Sequence, residues 1–344
     1  PANVFLTNNF MKFLSLIYGA MRDLAVRYLP NFNKDKKMKE IKENKNGIAF
    51  WENPLQFYET NSIAKKFLNF FLVPILNILP SSFNKIIKKT NREADELIKT
   101  ATSYHAIEIL YNYNPHRIKN PIQRFFYYIW FNLNNPKAVR NRLKLVTHEV
   151  RNALLQFNRN NNDIHILSIA SGSARAIVDA LLATEKVDHL KLTDNNVHIT
   201  FLDKNSRACE YSKNLIQKQE WEKKYNFRWI NDTASSFPLH FKNNGWKMPD
   251  IVEMVGLLDY FPNEQFVKII SLIYEHLQIN GILITANIED NRERRFITNV
   301  IGWKMVYRNS KEFVELMIRA GFKKENNKIL YEPLKIHFVV IAKK

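Results

Sequence analysis

From residue 164 onward, short apolar runs alternate with segments of helical periodicity. This alternation predicts an α/β fold with a Rossmann-like, doubly wound sheet. Two final runs, 327–331 and 335–341, are joined at Glu332-Pro333 and predict a terminal antiparallel hairpin that completes seven strands. The five predicted strands before this hairpin are residues 164–169, 197–202, 227–230, 249–255 and 282–286.

The first 135 residues show helical spacing of apolar positions instead of strand-like alternation. Residues 9–29 repeat apolar side chains every three or four positions and stop at Pro30, and residues 31–47 have the Lys/Asn/Glu-rich composition of a solvated linker. We therefore expect an all-helical, substrate-binding N-terminal cap over residues 1–135, followed by the α/β domain over 136–344. Further helices are predicted over 93–111, 121–133 and 136–157.

The apolar stretch 62–79, interrupted by Pro74, has two interpretations. It packs in a core, or it is a surface helix that enters a lipid interface or a substrate tunnel. Its longest apolar run, 67–79, is shorter than the ~18 residues that a membrane span needs. Peripheral membrane contact therefore stays open, and a spanning helix is not predicted.

Composition adds three limits. A hydrophobic content of 46%, with 13% aromatic residues, supports a buried core. The single cysteine, Cys209, excludes a disulfide framework and a cysteine zinc cluster, so we expect no metal site and a reducing, cytoplasmic location. The net charge of +18, concentrated in the first 150 residues, fits nucleic acid, an anionic membrane, an acidic substrate or simply a lysine-rich surface.

The first strand of the alternating half leads into a turn of small residues, Ala170 to Ala174, before a helix begins at Arg175. Such a turn lets a nucleotide-like ligand approach the backbone, and the helix start offers free N–H groups. Asp203 ends the next strand, where a carboxylate can accept both hydroxyls of a ribose. The sequence therefore predicts a nucleotide-like ligand between the Gly172 turn and Asp203.

Other side chains are candidates for catalysis or substrate binding. Tyr260 follows the fourth strand and His105 lies on the predicted helix 93–111, so each could serve as a general base. Packing explains the tyrosine equally well, and a core or surface position explains the histidine. The candidate substrate contacts are Tyr104, Asn287, Arg292 and Arg308, of which the arginines could hold an anionic group or simply be solvated.

Several ordered motifs carry a family resemblance: 167–173 (LSIASGS), Asp203, Asn231-Asp232, 250–255 (DIVEMV) and 280–284 (NGILI). In this order they resemble a class I S-adenosylmethionine-dependent methyltransferase over roughly residues 136–344. The segments 255–260 (VGLLDY) and 303–308 (WKMVYR) are similar to a group of bacterial methyltransferases whose substrates are not assigned. The resemblance implies S-adenosylmethionine as the cofactor.

The resemblance also implies roles for individual residues. Where Ser168 stands, the family commonly has an acidic residue that holds the ammonium group of the cofactor, so we expect Ser168, backbone carbonyls or water to replace it. Glycines are common where Ala170 and Ala174 stand. The implied cofactor contacts are Ala170, Ser171 and Gly172 at the methionine and ribose end, Asp203 with Lys204 at the ribose hydroxyls, Asn231 and Asp232 at the adenine, and Met254 and Val255 beside the transferred methyl group.

These observations favour a methyltransferase acting on a small-molecule or lipid-like acceptor beneath an aromatic helical cap. An RNA methyltransferase that uses the basic N-terminal half is one alternative, and a non-catalytic cofactor-binding or membrane-docking protein is another. Amino methylation of nucleic-acid bases is disfavoured, because the segment after the fourth strand reads Glu253-Met-Val-Gly instead of Asn-Pro-Pro-Tyr. The sequence does not indicate an oligomeric state.

Overall fold

A computed structural model describes residues 58–160, 163–187, 196–219, 221 and 224–344, together with two two-residue strands, Lys42–Glu43 and Ala49–Phe50. The chain divides into two compact units, Pro1–Ala49 and Phe50–Lys344, and the account below concerns the second. The predicted helix 9–29 and nearly all of the predicted linker 31–47 lie outside the described residues. The predicted domain boundary at residue 136 stays a prediction.

The sheet has seven strands in the order β3-β2-β1-β4-β5-β7-β6. The first five are parallel, and β7 runs antiparallel to both β5 and β6. This arrangement confirms the predicted doubly wound sheet with a terminal antiparallel hairpin. The strands are β1 (Asp163–Ile169), β2 (Asn196–Leu202), β3 (Asn226–Ile230), β4 (Ile251–Met254), β5 (Ile282–Ile288), β6 (Asn327–Tyr331) and β7 (His337–Lys343).

Helices precede the sheet and then alternate with its strands. Those before the sheet are α1 (Ile63–Ile78), α2 (Asn84–Thr90), α3 (Arg92–Lys99), α4 (Tyr104–Tyr111), α5 (Pro121–Phe131) and α6 (Asn134–Asn160). Those that follow β1 are α7 (Arg175–Val187), α8 (Ser206–Gln217), α9 (Phe237–Asn243), α10 (Asn263–His276), α11 (Arg294–Phe296) and α12 (Ser310–Arg319).

The central strands form because their side chains are covered on both faces. Every residue of β4 and β5 is buried, and so are all of β1 after Asp163. Near-continuous apolar runs are the usual sequence of parallel strands with helices on both sides. This burial explains why these strands could be anticipated from apolar runs alone.

The predicted helix over 93–111 is two helices, because the chain turns between Thr100 and Ser103. Thr102 adopts a left-handed conformation, with φ of +72°, that ends the helical path. Ser103 then caps α4 by accepting the backbone N–H of Ala106 at 3.3 Å. The turn places α4 against the loop that follows β1, where Tyr104 meets Gly172.

The long helix α6 carries some of the chain's excess basic side chains in buried positions. Arg140, Arg142 and Lys144 are all buried, and Arg140 makes two hydrogen bonds to the Glu59 carboxylate, at 2.6 and 2.7 Å. Buried guanidinium and ammonium groups are not available to a polyanion. A solvated surface is therefore not the explanation for these three cations.

Helix α1 buries Asn69, Val73 and Leu76, yet Ile63 and Phe67 on another face are largely exposed. Among the described residues, no single helix is long and apolar enough to cross a membrane. Helix α1 and the segment Ser81–Thr90 meet that test only as a pair, bent by 111°.

Candidate functional site

A cavity of about 720 Å³ lies at the carboxyl ends of β1, β2 and β4, beneath helices α3 to α6. The carboxyl edge of an open parallel sheet is where ligands bind in this architecture. Both the Gly172 turn and Asp203 line the cavity, as the sequence predicts. The other lining residues used below are Tyr104, Tyr111, Arg142, Ser171, Lys204, Glu253, Val255, Asp259, Tyr260 and His337.

The turn after β1 is built from three left-handed residues. Ala170, Gly172 and Ala174 have φ of +52°, +53° and +59°. A Cβ on Gly172 would lie 3.3 Å from the Cβ of Tyr104, so the turn leaves little room for a larger residue there. Ala170 and Ala174 stand where the family resemblance suggests glycines. Their left-handed conformation is one that glycine adopts freely, whereas it costs each alanine roughly 1–2 kcal/mol.

Asp203 is bonded directly to this turn. One carboxylate oxygen, Oδ2, accepts the backbone N–H of Gly172 at 2.8 Å, and Oδ1 accepts the N–H of Asn205 at 2.8 Å. Each oxygen keeps a second lone pair that a hydroxyl group can use. Lys204, beside Asp203, also lines the cavity, with its side chain exposed.

Glu253 is a site residue that the sequence reasoning did not select. The Ser168 hydroxyl donates a 2.5 Å hydrogen bond to Oε2 of Glu253, and the two residues are register partners on β1 and β4. Burial raises the pKa of Glu253 to about 7, against the hydrogen bond from Ser168 and the charge of Arg142. The carboxyl group that β1 lacks is therefore supplied by the neighbouring strand.

Three predicted cofactor contacts point elsewhere. Asn231 donates from Nδ2 to the backbone oxygen of Asp203 at 2.9 Å, and Asp232 lies 2.9 Å from Nε2 of His240. The lining after β3 comes instead from Thr233 and Ala234, one residue further along the chain. Of the pair after β4, Val255 lines the cavity, whereas Met254 is fully buried in the hydrophobic core.

The two candidate bases differ in position. Tyr260 lines the cavity, and its hydroxyl accepts the indole N–H of Trp303 at 2.7 Å. Burial raises the pKa of Tyr260 to about 12, so the phenol is neutral near pH 7 and a weak base. His105 lies away from the cavity lining, with a 47% exposed side chain 3.5 Å from Glu96. The position of His105 gives no support to the role predicted for it, which stays a prediction.

Of the four candidate substrate contacts, Tyr104 lines the cavity. The guanidinium of Arg308 is buried in the structure, where it donates to the backbone oxygen of Leu258 at 3.0 Å and to Oδ1 of Asn287 at 3.1 Å. Arg292 lies over the ring of Phe70, 5.1 Å from its centre. Arg308 and Asn287 therefore stabilise the fold around β5, and Arg292 contacts α1 outside the cavity lining.

A second polar group surrounds Arg142 at the side of the cavity. Arg142 lies 3.4 Å from Asp259, whose other oxygen accepts the backbone N–H of Ile288 at 3.0 Å. His337, the first residue of β7, is 2% exposed and lies near the same guanidinium, which helps burial to lower the pKa of its ring well below the usual value. The only sequence signal for this group of residues was Arg142, a basic residue within a predicted amphipathic helix.

Asp163, His165 and His198 form a cluster at the opposite, amino end of β1 and β2, with potential ligand atoms within 4.8 Å of one another. Arg228 lies 3.0 Å from Nδ1 of His198, and because a guanidinium only donates, that nitrogen accepts. The proton of neutral His198 is then on Nε2, which faces Asp163 at 3.2 Å. Nε2 of His165 also lies 2.9 Å from Oδ2 of Asp163, so polar contacts link the cluster, although Oδ1 of Asp163 has no hydrogen-bond partner among the described residues.

The family described as "Putative methyltransferase" matches residues 98–344, well over half of the sequence. The chain belongs to this methyltransferase family. The match and the strand order together confirm the predicted class I methyltransferase fold. A search of curated proteins finds no match.

Solved structures share the fold of this methyltransferase at low sequence identity. A possible exported protein from Bordetella parapertussis is 14% identical, with a TM-score of 0.55 over 74% of this chain and 87% of its own. The magnesium protoporphyrin IX methyltransferase (ChlM) from Synechocystis PCC 6803, solved with bound S-adenosylmethionine, is 11% identical. Its TM-score is 0.44, over 62% of this chain and 89% of its own.

The residues around the Gly172 turn fit S-adenosylmethionine, the cofactor that the family resemblance implies. Within the described part of the methyltransferase, the buried Oγ of Ser171 has no hydrogen-bond partner, and a buried polar atom without a partner costs free energy unless a ligand satisfies it. Ser171 lies next to Gly172, whose missing side chain leaves the turn open beside Tyr104. Glu253 and Asp203 add two carboxyl groups to the lining, suited to an ammonium group and to ribose hydroxyls.

Proposed function

We propose that the protein transfers the methyl group of S-adenosylmethionine to a small-molecule or lipid-like acceptor enclosed beneath helices α3 to α6. The observation that carries this proposal is the continuity of one cavity, from the Gly172 turn and Asp203 to the apolar faces of these helices. A cavity of about 720 Å³ is in the range of small-molecule sites. Its size favours a small acceptor over a polymer.

In this proposal Asp203 accepts the ribose hydroxyls, while its bonds to Gly172 and Asn205 hold the carboxylate in position. Glu253 binds the ammonium group of the methionine part, with Ser168 orienting the carboxyl group. Charge-assisted hydrogen bonds of this kind are stronger than neutral ones. Ser171 supplies a hydroxyl, and Val255 borders the space in which methyl transfer takes place.

Apolar side chains from the helices form most of the acceptor side, including Leu97, Ile98, Leu110 and Trp130. When bound, S-adenosylmethionine supplies an already activated methyl group, so the protein mainly has to align the acceptor and exclude water. Tyr104 and Tyr111 of α4 add aromatic side chains to the lining, and Tyr104 lies beside the Gly172 turn. This apolar lining supports an acceptor with a hydrophobic body.

Calorimetry with the purified full-length chain tests the cofactor part of the proposal. We expect both S-adenosylmethionine and S-adenosylhomocysteine to bind, and Asp203→Ala to weaken both. Incubation with isotope-labelled cofactor then tests the acceptor part, with the organic-solvent extract of cells and total RNA as separate substrates. Label in the organic extract supports the proposal. Label confined to RNA, or the absence of cofactor binding, would overturn it.

A further inference from the structure

Arg142 presents a buried cation to the acceptor side of the cavity. Its guanidinium comes from α6 and is 4% exposed, with Nη1 3.4 Å from Oδ2 of Asp259. Gly256 leaves space beside it, since a Cβ there would lie 3.7 Å from Nη2. As far as the structure describes the chain, the Nε–H of Arg142 is buried without an acceptor. A buried donor in this state is favourable only when a ligand accepts its hydrogen bond.

His337 presents a second unsatisfied group to the same cavity. It begins β7 opposite Ile288 at the end of β5, and its side chain is almost completely buried. Over the described ranges, neither ring nitrogen makes a hydrogen bond of good geometry, and the nearby Asn287 backbone favours a proton on the ring. Burial and the nearby Arg142 charge favour the neutral ring, which offers one N–H donor and one acceptor nitrogen.

The carboxyl groups nearby are already engaged. Asp259 accepts from Ile288 and pairs with Arg142, and Glu253 accepts from Ser168 on the cofactor side. What the cavity still needs is therefore an oxygen that accepts hydrogen bonds from a guanidinium and from the N–H of a neutral imidazole. An ionised carboxyl group or a phenolate offers such an oxygen, whereas an amine would bring a positive charge towards Arg142.

We infer that the acceptor is an apolar molecule with an acidic oxygen group, a carboxyl or a phenol, and that this group binds between Arg142 and His337. The inference rests on the proposed methyltransferase function and specifies its substrate class. It also assigns methylation to oxygen. The hydrophobic body of the acceptor would lie along the apolar side chains of α3 to α6.

The transfer step balances with these groups. The acidic group binds as its anion after its proton has gone to solvent, and Arg142 and an N–H of the neutral His337 ring donate hydrogen bonds to the oxyanion. A lone pair of this oxygen forms the new C–O bond as the sulfur–methyl bond breaks, and the bonding pair of electrons stays on sulfur. The products are a methyl ester or methyl ether and S-adenosylhomocysteine.

The inference is tested with three probes of equal chain length: decanoic acid, decan-1-ol and decylamine. Each is titrated at pH 7 into full-length protein saturated with S-adenosylhomocysteine, and binding is followed by calorimetry. We expect the acid to bind at least about tenfold more tightly than the alcohol, because only the ionised carboxyl group brings a negative charge to the hydrogen bond from Arg142. Equal binding of acid and alcohol, or tighter binding of the amine, would overturn the inference.

The variant His337→Phe provides a second test, and it leaves the ion pair between Arg142 and Asp259 in place. Phenylalanine fills a similar volume and removes two unpartnered nitrogen atoms, so the thermal unfolding midpoint should be unchanged or higher. The preference for acid over alcohol should shrink severalfold, whereas His105→Phe, on the surface, should keep it. A folded His337→Phe protein with the full preference would contradict the assignment.

Cofactor binding, measured in the same samples, distinguishes a failure of the proposed methyltransferase function from a failure of the acidic-acceptor inference. If S-adenosylhomocysteine fails to bind the wild-type protein, the proposed function itself fails. If it binds and the three probes show no acid preference, only the acidic-acceptor inference fails. A substitution of Arg142 by Gln adds a direct check of the cation where the variant remains folded, and the expected result is loss of the acid preference.

Discussion

The Ser168 hydroxyl donates a hydrogen bond of 2.5 Å to the Glu253 carboxyl group on the neighbouring parallel strand, although the two residues are 85 positions apart in the sequence. They are register partners, so the backbone of β4 at Glu253 lies one strand spacing, roughly 4.8 Å, from the backbone of β1 at Ser168. The serine stands where the family resemblance suggests an acid. We infer that the acidic function has moved from β1 to β4 while remaining beside the cofactor turn.

The first prediction concerns this relocated carboxyl group. Glu253→Gln should weaken binding of S-adenosylhomocysteine by about tenfold or more, because a charge-assisted hydrogen bond to the ammonium group is lost. Calorimetry at pH 7.5 measures the change. Glu264→Gln, which removes an exposed acid at the start of α10, is the matched control and should have little effect.

An exchange of the two residues makes this test more specific. The double variant Ser168→Glu with Glu253→Ser restores a carboxyl group on the other strand, and we expect it to recover part of the lost affinity. Wild-type affinity should also rise as the pH passes upward through about 7, because the pKa of Glu253 lies near that value and the ionised form binds the ammonium group. A Glu253→Gln protein with wild-type affinity and the same pH profile would contradict this role.

The second prediction concerns the stability of the cofactor-free protein. Burial raises the pKa of Glu253 from 4.5 to about 7, so over this window the native state keeps a proton that the unfolded chain has released. The free energy of unfolding should therefore fall as pH rises from about 4.5 to 7, by up to ~3 kcal/mol from this group. Urea unfolding at several pH values, without cofactor, measures it.

Asp179 contributes with the same sign, since burial raises its pKa to about 6. It is present in both the wild-type protein and Glu253→Gln, so the difference between their pH profiles isolates Glu253. We expect a flatter profile for the variant. Identical slopes would mean that Glu253 is ionised in the native state across this range.

The fold could be predicted from the sequence further than the site could. Strand-forming apolar runs and the small-residue turn are local signals, and the carboxyl ends of parallel strands meet at one edge. Local signals therefore placed the Gly172 turn and Asp203 together. Asn231 also ends a strand, but its side chain folds back onto the backbone oxygen of Asp203, which spacing alone does not reveal.

The residues that the sequence reasoning missed share one property: they lie inside apolar elements. Glu253 is within a buried strand, Arg142 is on a buried face of α6, and His337 begins a buried strand. Their meeting depends on strand register and helix packing, which local pattern does not specify. By contrast, His105 and Arg292 were candidates because they are isolated polar residues in the sequence, and both lie away from the cavity lining.

The third prediction separates backbone strain from steric closure at the cofactor turn. Gly172 and Gly245 both have positive φ, at +53° and +64°, so replacement by alanine should cost each site roughly 1–2 kcal/mol of stability. Only at Gly172 would the new Cβ meet a neighbour, Tyr104, at 3.3 Å; the described structure places no atom within 4 Å at Gly245. Gly172→Ala should therefore also lose cofactor affinity.

Chemical unfolding and calorimetry on the two alanine variants check this prediction together. Comparable losses of stability with a selective loss of S-adenosylhomocysteine binding in Gly172→Ala are expected. Equal cofactor affinity in the two variants would show that the turn does not contact the ligand.

The fourth prediction distinguishes the two acidic residues that the sequence assigned to the cofactor. In Asp203→Asn, one oxygen becomes an amide N–H₂ that must face the backbone N–H of Gly172 or of Asn205, so the turn loses a hydrogen bond and the ribose loses a charged acceptor. We expect at least a tenfold loss of cofactor affinity. Asp232→Asn, whose partly exposed side chain bonds to His240 and to the N–H of Thr233, should bind the cofactor almost as the wild-type protein does. If Asp232→Asn were the more damaging substitution, the adenine would have to lie against the Asp232 side chain, and the lining by Thr233 and Ala234 would not describe the bound state.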